Sequence, residues 1–217
     1  MSTESAVSPV GMGIASQPVP TPELHQRDRM LLGMANTIAK HGYRGATITE
    51  VVRFARVSKR TFYEEFGDKE SCFLELYERT AKELENLIVA AGTHDLPWRD
   101  QIHAGARAYF TALAVEPMLT KAFFIEIATL SERATQARRA MMDHFCVVLA
   151  RIVEEARGRN MDVPSRPLSP MLAAAVVGGM TDVMIGALER DAMVESVDDL
   201  VDTATEDRKS TRLNSSH

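Results

Sequence analysis

The chain repeats one hydrophobic pattern, in which apolar residues return every three or four positions, the spacing of an amphipathic helix. The first such stretch carries the apolar residues Leu31, Leu32, Ala35, Ile38 and Ala39. It ends at Gly42, where we predict a left-handed residue that terminates the helix. No stretch shows the strict alternation of a half-buried strand, so the pattern predicts an all-α protein.

Two short helices joined by a tight turn follow the first helix. The second helix begins after Thr47, and its apolar face is formed by Ile48, Val51, Val52 and Ala55. Ser58 caps the third helix, which reaches Phe66, and Asp68 caps a longer fourth helix. Because short helices cannot bury a core alone, they must pack against the first and fourth helices. This three-helix arrangement frees one face of the third helix to enter the major groove of DNA.

More amphipathic stretches follow a linker at residues 92–97, and the last of them opens at Ser196 with a capping-box pattern. The pattern predicts two helical domains with a polar segment at each end. These parts are a disordered arm at 1–22, an N-terminal helix-turn-helix DNA-binding domain at 23–91, a C-terminal helical ligand-binding and dimerisation domain at 98–205, and a polar tail at 206–217 that resembles appended, non-native sequence.

Charge divides the chain in the same way. Between His25 and Phe66, eight Lys and Arg residues stand against four Asp and Glu residues, so this segment carries +4. The net charge of the whole chain is −5, which leaves −9 for the remainder. The segment around the third helix is therefore suited to a polyanion such as DNA, and the rest of the chain is not.

Other features of composition argue for a soluble cytoplasmic protein without a cofactor or a metal. Cys72 and Cys146 lack metal-ligand spacing, which favours buried small side chains over a redox switch. No basic segment followed by an apolar one opens the chain, as a secretory signal would. The apolar run at 172–188 is interrupted by Thr181 and Asp182 and is slightly shorter than the ~20 residues of a membrane span.

Polar side chains suited to DNA contact lie on and beside the third helix. Hydroxyl groups there can reach phosphates or base edges, and cationic groups can pair with phosphates or with guanine. The amino end of the second helix attracts a phosphate through its free amides. The predicted DNA contacts are Arg44, Thr47, Thr49, Arg56, Ser58, Lys59, Arg60, Thr61, Tyr63 and Lys69.

The segments GYRGAT at 42–47, TITEVV at 47–52, ARVSKRTFYEEF at 55–66 and DKE at 68–70 resemble the signature of the tetracycline-repressor (TetR) family. The resemblance is strong over residues 27–75, and the rest agrees in length and helical content. It implies a homodimeric repressor that binds a palindromic operator and is released by a small ligand. One position departs from the family pattern, since Arg56 stands where the family usually has Gly. A positive φ at Arg56 costs on the order of 1 kcal/mol or reshapes the turn.

The stretch after Ser169 is apolar nearly all round, and a helix of that kind is buried on every side. The resemblance implies a four-helix dimer interface built from the last two helices of each subunit. The predicted interface residues are Ala174, Val177, Gly178, Thr181 and Ile185. The alternative is a core helix within one subunit.

Aromatic and methionine side chains of the middle helices predict an apolar cavity for a small hydrophobic or aromatic inducer. The predicted lining, with polar groups that could orient a ligand, is Trp98, His103, Arg107, Phe110, Phe123, Phe124, Met142 and Phe145. Core packing or a solvated helix face is the competing interpretation for each of these residues.

Three other functions stay open from the sequence. An enzyme is disfavoured, because the chain has no phosphate-binding glycine loop, nucleophile elbow or metal-ligand cluster. A ligand-binding helical protein with a degenerate DNA-binding head is the main alternative, and Arg56 is the residue that suggests it. An activator or a nucleoid-type binder is the third possibility.

Overall fold

The computed structural model describes residues 25–91, 97–159 and 167–205, and these ranges form α-helices, one 3-10 helix and no strand. The helices are α1 Gln26–Gly45, α2 Ile48–Ala55, α3 Lys59–Phe66, α4 Lys69–Ala91, α5 Trp98–Val115, α6 Pro117–Phe124, the 3-10 helix Glu126–Thr129, α7 Glu132–Gly158, α8 Pro170–Glu189 and α9 Val197–Thr205. The all-α prediction is confirmed. The predicted arm at 1–22 and tail at 206–217 lie outside the described residues.

The end of α1 is interrupted at Gly42, which has φ 68° and ψ 170°. The left-handed region predicted for Gly42 is therefore present, but a further short turn carries the helix to Gly45. Earlier in α1, the chain crosses α2 at close range. A Cβ atom at Gly33 would lie 2.7 Å from the Val51 carbonyl oxygen, so only glycine allows this approach.

The turn between α2 and α3 is a left-handed residue followed by a capped helix. Arg56 has φ 54° and ψ 47°, and its amide donates to carbonyls of the last turn of α2. The Ser58 hydroxyl then accepts a hydrogen bond from the Thr61 amide at 3.0 Å. The chain thus keeps the turn at Arg56 and accepts the positive φ, one of the two outcomes that the sequence leaves open for this position.

The first hydrophobic core joins α1 to α4 with parts of α6 and α7. Phe62 and Phe73 are fully buried in it, and so are Leu119 of α6 and Ala134 of α7. Helix α6 packs directly against α1. Residues 92–96 of the predicted linker lie outside the described residues, and side chains from beyond the linker complete the core that contains α1 to α4.

The second hydrophobic core joins the end of α4 with α5, α8 and α9. Leu84, Leu113, Met184 and Leu200 are buried in it. Helix α8 is only partly covered within the subunit. It is long and apolar enough to cross a membrane by length and composition, and 28% of its apolar window is buried. A helix buried on every side, as the sequence predicts, would need a further partner for α8.

Candidate DNA-binding surface and ligand cavity

Helix α3 presents a polar face to solvent because its apolar residues are buried on the opposite side. Phe62 and Phe66 lie in the first core, whereas Lys59 is exposed, the Arg60 side chain is 88% exposed and Tyr63 is 52% exposed. The nearest anion to Arg60 is Glu64, whose Oε1 accepts from Arg60 Nε at 2.8 Å. The terminal nitrogens of Arg60 stay available, so this face can donate to phosphates or to guanine in a major groove.

The hydroxyls at the amino end of α3 are already engaged in capping. Ser58 Oγ accepts from the Thr61 amide and lies 2.8 Å from Thr61 Oγ1. A hydroxyl has one donor and two acceptor sites, so Ser58 keeps capacity for one further contact and Thr61 for two. If Ser58 and Thr61 contact DNA as predicted, the same hydroxyl groups would both cap α3 and bind DNA.

The amino end of α2 carries a capping box. The Thr47 hydroxyl accepts from the Glu50 amide at 3.3 Å and donates to Glu50 Oε2 at 2.9 Å. The hydrogen bond from Thr47 lowers the pKa of Glu50, and His41, whose Nε2 lies 3.2 Å from Glu50 Oε1, lowers it further. Thr49 is exposed beside them. A phosphate bound at Thr47 and Thr49 would therefore lie near a negative charge.

Lys69 has a role that the sequence analysis missed. Its ammonium group donates to the carbonyl oxygens of Tyr43 at 2.9 Å and of Ala46 at 3.0 Å. It also lies 4.1 Å from the centre of the Tyr43 ring. Burial lowers the pKa of Lys69. Lys69 fastens the start of α4 to the end of α1, and one N–H donor remains for the phosphate contact predicted from the sequence.

Two polar junctions tie the DNA-binding domain to the rest of the subunit. At the first, the Arg44 amide donates to Glu126 Oε2 at 3.2 Å, and the guanidinium donates to Thr129 at 3.3 Å. Arg44, predicted to contact DNA, thus faces the 3-10 helix. At the second, Arg133 donates to Asp68 at 3.2 Å and to Glu70 at 3.0 Å.

A cavity of about 450 Å³ lies between α4, α5, α6, α7 and α8. Of the predicted ligand-binding residues, five line it, namely Phe110, Phe123, Phe124, Met142 and Phe145. Further residues on α4 and α5, including Tyr77, Thr80, Leu84, Ile88 and Tyr109, also line it. The α4 residues recur at helical spacing, but the sequence analysis assigned them all to the DNA-binding domain.

The predictions for Trp98, His103 and Arg107 are not met, because these residues do not line the cavity. Ile102, Gly105, Ala106 and Tyr109 form the face of α5 that lines it. Successive residues on a helix point about 100° apart, so positions 103 and 107 lie on another face. Arg107 instead pairs with Asp198 of α9 at 2.8 Å. Trp98 is the first residue of α5, a full turn before the cavity begins.

One wall of the cavity is held by a buried carboxylate. Glu85 is 4% exposed, and it accepts from Lys82 at 2.7 Å, His144 at 3.1 Å and Arg151 at 3.0 Å. The hydrogen bond from Lys82 is the main cause that lowers the pKa of Glu85 to about 2. Arg151 also lines the cavity, so the Glu85 carboxylate orients a cationic side chain of the cavity wall.

Two of the predicted dimer contacts face inward. Thr181 is 9% exposed, its hydroxyl donates to the Val177 carbonyl at 2.8 Å, and both residues line the cavity. The apolar sequence of α8 did not reveal which of its faces meets the subunit. Ala174, Gly178 and Ile185 are at least partly exposed, and no atom lies within 4 Å of a Cβ built at Gly178.

The face of α8 that points outward exposes more apolar side chains than the face that lines the cavity. Its exposed residues follow helical spacing, at Leu172, Ala175, Val176, Gly179 and Val183, and Val176 also borders the cavity. Leu172 is 53% exposed and Val183 is 46% exposed. We call these five residues the α8 face. Exposed apolar side chains arranged on one helix face indicate a surface that packs against another protein surface.

Residues 35–76 match the family model described as bacterial regulatory proteins of the tetR family. The HTH-type transcriptional repressor AcnR of Corynebacterium glutamicum is 25% identical over 183 residues, which cover 81% of this chain and 89% of AcnR. Among solved structures, the fatty acid degradation regulator FadR of Bacillus halodurans aligns with a TM-score of 0.71 at 15% identity, covering 87% of this chain and 99% of that one.

FadR of Bacillus subtilis, solved in complex with stearoyl-CoA, aligns with a TM-score of 0.67 at 15% identity and covers 82% of this chain and 97% of its own. These structural matches agree with the observed two-domain helical fold. The family model covers the segment that contains α2, α3 and the capped turn between them. The helix-turn-helix segment of the chain is therefore that of the tetR family of bacterial regulatory proteins, and the chain as a whole is similar to a transcriptional repressor.

Proposed function

We propose that the protein is a ligand-responsive repressor that binds a palindromic DNA operator as a homodimer. One observation carries the proposal. A solvent-facing cationic helix, α3, and an apolar cavity of about 450 Å³ lie in the same subunit, and α4 both packs behind α3 and lines the cavity. The first half of α4 packs in the core behind α3, and its second half lines the cavity. A ligand and an operator would therefore act on one helix.

Phe123 supplies the contact through which a ligand would act. Its ring lies 5.6 Å from that of Phe73 and 5.4 Å from that of Tyr77, and it also lines the cavity. A ligand that displaces Phe123 or Tyr77 has to move α4 or α6. It shifts the protein away from the DNA-binding state only to the extent that it binds the moved state more tightly.

The α8 face supports the homodimer. A single helix-turn-helix makes too few contacts for useful specificity, so such proteins pair two of them about 34–36 Å apart on the operator. The α8 face combines small residues, which let another helix approach closely, with exposed valine and leucine side chains. A twofold pairing of α8 and α9 from two subunits would cover it.

The relatives support the repressor function and the class of inducer. AcnR is a transcriptional repressor, and the FadR structure contains stearoyl-CoA. The cavity of this chain is lined mainly by aromatic and aliphatic side chains, as a small hydrophobic inducer requires. We propose that the protein acts in the cytoplasm as a DNA-binding regulator and not as an enzyme.

The proposal is tested by selecting bound fragments from the source genome at two salt concentrations. We expect one inverted repeat, bound more weakly at the higher salt concentration, because phosphate contacts release counterions. Recovery of random fragments, or of none, would contradict the repressor function and favour a ligand-binding protein with a degenerate DNA-binding head.

Arg60→Ala tests the role of α3 on the recovered operator. We expect a loss of about 1–3 kcal/mol in binding and a weaker preference for the operator over random DNA, because Arg60 would donate to a base. Arg139→Ala removes the same charge from an exposed position on α7 and should leave the preference unchanged. If Arg60→Ala keeps the full preference, Arg60 does not recognise a base.

A further inference from the structure

Three residues that line the cavity carry hydroxyl groups with no hydrogen bond in the described part of the chain. Tyr77 and Thr80 are one helical turn apart on α4, and Tyr109 lies on α5. Within the described part of the chain, neither tyrosine hydroxyl makes a hydrogen bond, and the contacts of both residues are with aromatic rings. Polar groups inside a folded protein are normally paired, so three unpaired hydroxyls in one cavity require an explanation.

Thr80 departs from what the other threonines of these helices do. Thr37, Thr181 and Thr205 each donate to the carbonyl oxygen four residues earlier, at distances of 2.7–2.9 Å. Thr80 is 1% exposed, yet its Oγ1 has no hydrogen-bond partner. The Thr80 hydroxyl therefore does not donate to the carbonyl oxygen four residues earlier, as the hydroxyl of a helical threonine normally can. It has no hydrogen-bond partner in this structure.

Both phenols are hydrogen-bond donors at neutral pH. Burial raises the pKa of Tyr77 to about 12. Burial also raises the pKa of Tyr109, and the neighbouring phenol of Tyr77 raises it further. Both residues line the same cavity. A ligand atom beside these residues would be met by O–H donors, and Arg138, which lowers the pKa of Tyr77, does not line the cavity.

The charged groups of the cavity lie at its other end. Arg151, Glu155 and Arg159 are exposed on the last turns of α7, beside the end of α4. The α4 residues of the wall run from Tyr77 to Val89, which is about 18 Å along a helix. The cavity is therefore elongated, with a charged, solvent-facing end and a buried aromatic end that carries the hydroxyls.

We propose that the ligand is an elongated apolar molecule with a neutral hydrogen-bond-accepting oxygen, such as a carbonyl, at the end that lies against Tyr77, Thr80 and Tyr109. The inference rests on the proposed function and names the class of inducer for its cavity. A saturated alkyl chain that ended at this point would leave three hydroxyls buried without partners. A carboxylate there would have no cation in the cavity wall beside it, because the lining cations Arg151 and Arg159 lie at the other end.

The test uses two probes of the same shape. One is methyl nonyl ketone, and the other is the matching hydrocarbon in which a methylene group replaces the carbonyl oxygen. Dissociation constants are measured by calorimetry for the full chain and for Tyr77→Phe, Thr80→Val, Tyr109→Phe and the combined variant. Thr37→Val is the control, because its hydroxyl is also buried but is already bonded to Gly33, and the residue does not line the cavity.

We expect the wild-type protein to bind the ketone on the order of tenfold more tightly than the hydrocarbon. The combined variant should lose this preference and still bind the hydrocarbon, which shows that its cavity is intact. Thr37→Val should keep the preference. If the combined variant does not bind the hydrocarbon, the single variants decide, and each should lower the preference severalfold.

Equal binding of the two probes by the wild-type protein, or an unchanged preference in the variants, would overturn this inference and leave the ligand-binding function standing. Binding of neither probe would overturn the inference and count against the cavity as a ligand site. A ketone preference without any effect on the operator complex would support the inference and contradict the ligand-responsive function.

Discussion

Arg56 holds the helix-turn-helix in a backbone conformation that glycine adopts without strain. Its φ of 54° and ψ of 47° place the Cβ atom close to the following carbonyl, at a cost of roughly 1–2 kcal/mol. Hydrogen bonds between residues close in sequence hold Arg56 in this backbone conformation. The Arg56 and Val57 amides donate to the last carbonyls of α2, and Ser58 caps α3. The turn therefore depends on its caps.

The first prediction compares Arg56→Gly with Arg56→Ala. We expect the glycine variant to be about 1 kcal/mol more stable in chemical unfolding, because both remove the side chain and only glycine relieves the strain. If Arg56 also contacts a phosphate, the two variants should lose operator affinity equally. Equal stability of the two variants would show that the left-handed conformation costs nothing at this position.

Individual side chains were predictable from the sequence where their partners are local. Thr47, Ser58, Asp68 and Ser169 each accept from an amide three residues later, as their positions before helices predict. The partners of Lys69 are carbonyls 26 and 23 residues earlier, and no local pattern shows such a contact. Long-range polar contacts depend on how helices pack, which periodicity does not describe.

The helices as elements were predictable, but their orientation was only partly so. Apolar periodicity identifies which residues share a face and does not identify what that face meets. On α5 this left positions 103 and 107 among the ligand-binding candidates, although the cavity is lined by the face of Tyr109. On α8 an apolar residue occupies nearly every position, so periodicity could not separate Val177 and Thr181 from the α8 face.

Helix α4 carries the polar contact with the clearest pH dependence. Glu85 is charged in the folded protein down to a pKa of about 2, against 4.5 for an ordinary glutamate. A lowered folded-state pKa stabilises the protein above the ordinary value, and this stabilisation is lost as the pH falls from about 4.5 towards 2. Glu85 should therefore contribute to acid unfolding in this range.

The second prediction follows from this loss of stability on acidification. Glu85→Gln should lower the stability at pH 7 by about 1–3 kcal/mol, the range of hydrogen bonds to a charged group, and should flatten the loss of stability on acidification. Acid titrations of the free energy of unfolding would measure both effects. Glu78→Gln, at an exposed position on the same helix, is the control and should change neither. An unaltered acid profile for Glu85→Gln would contradict the prediction.

At the scale of the whole molecule, the α8 face is an exposed apolar surface in the described part of the chain. Gly179 lies within it, and a Cβ built there meets no atom within 4 Å. A larger side chain at Gly179 can therefore be accommodated by the isolated subunit. In a close pairing of two α8 helices, the same side chain would separate the subunits.

The third prediction is that Gly179→Leu shifts the protein from dimer to monomer in sedimentation without unfolding it. The matched control is Gly158→Leu, which also points into open space but lies at the end of α7, away from the α8 face. We expect helical circular dichroism to be retained in both variants. If the Gly179→Leu protein remains dimeric, the dimer interface does not include the α8 face.

The core of the DNA-binding domain also sets how this protein can be recombined with its relatives. Leu119, Phe123 and Ala134 complete that core from beyond the linker, and the 3-10 helix fastens Arg44. A chimaera joined at residues 92–97 would place the α6 of one protein against the α1 of another. To keep the contact between α1 and α6, an exchange between relatives should therefore include the first four helices together with α6 and the start of α7. These parts are two separate pieces of the chain.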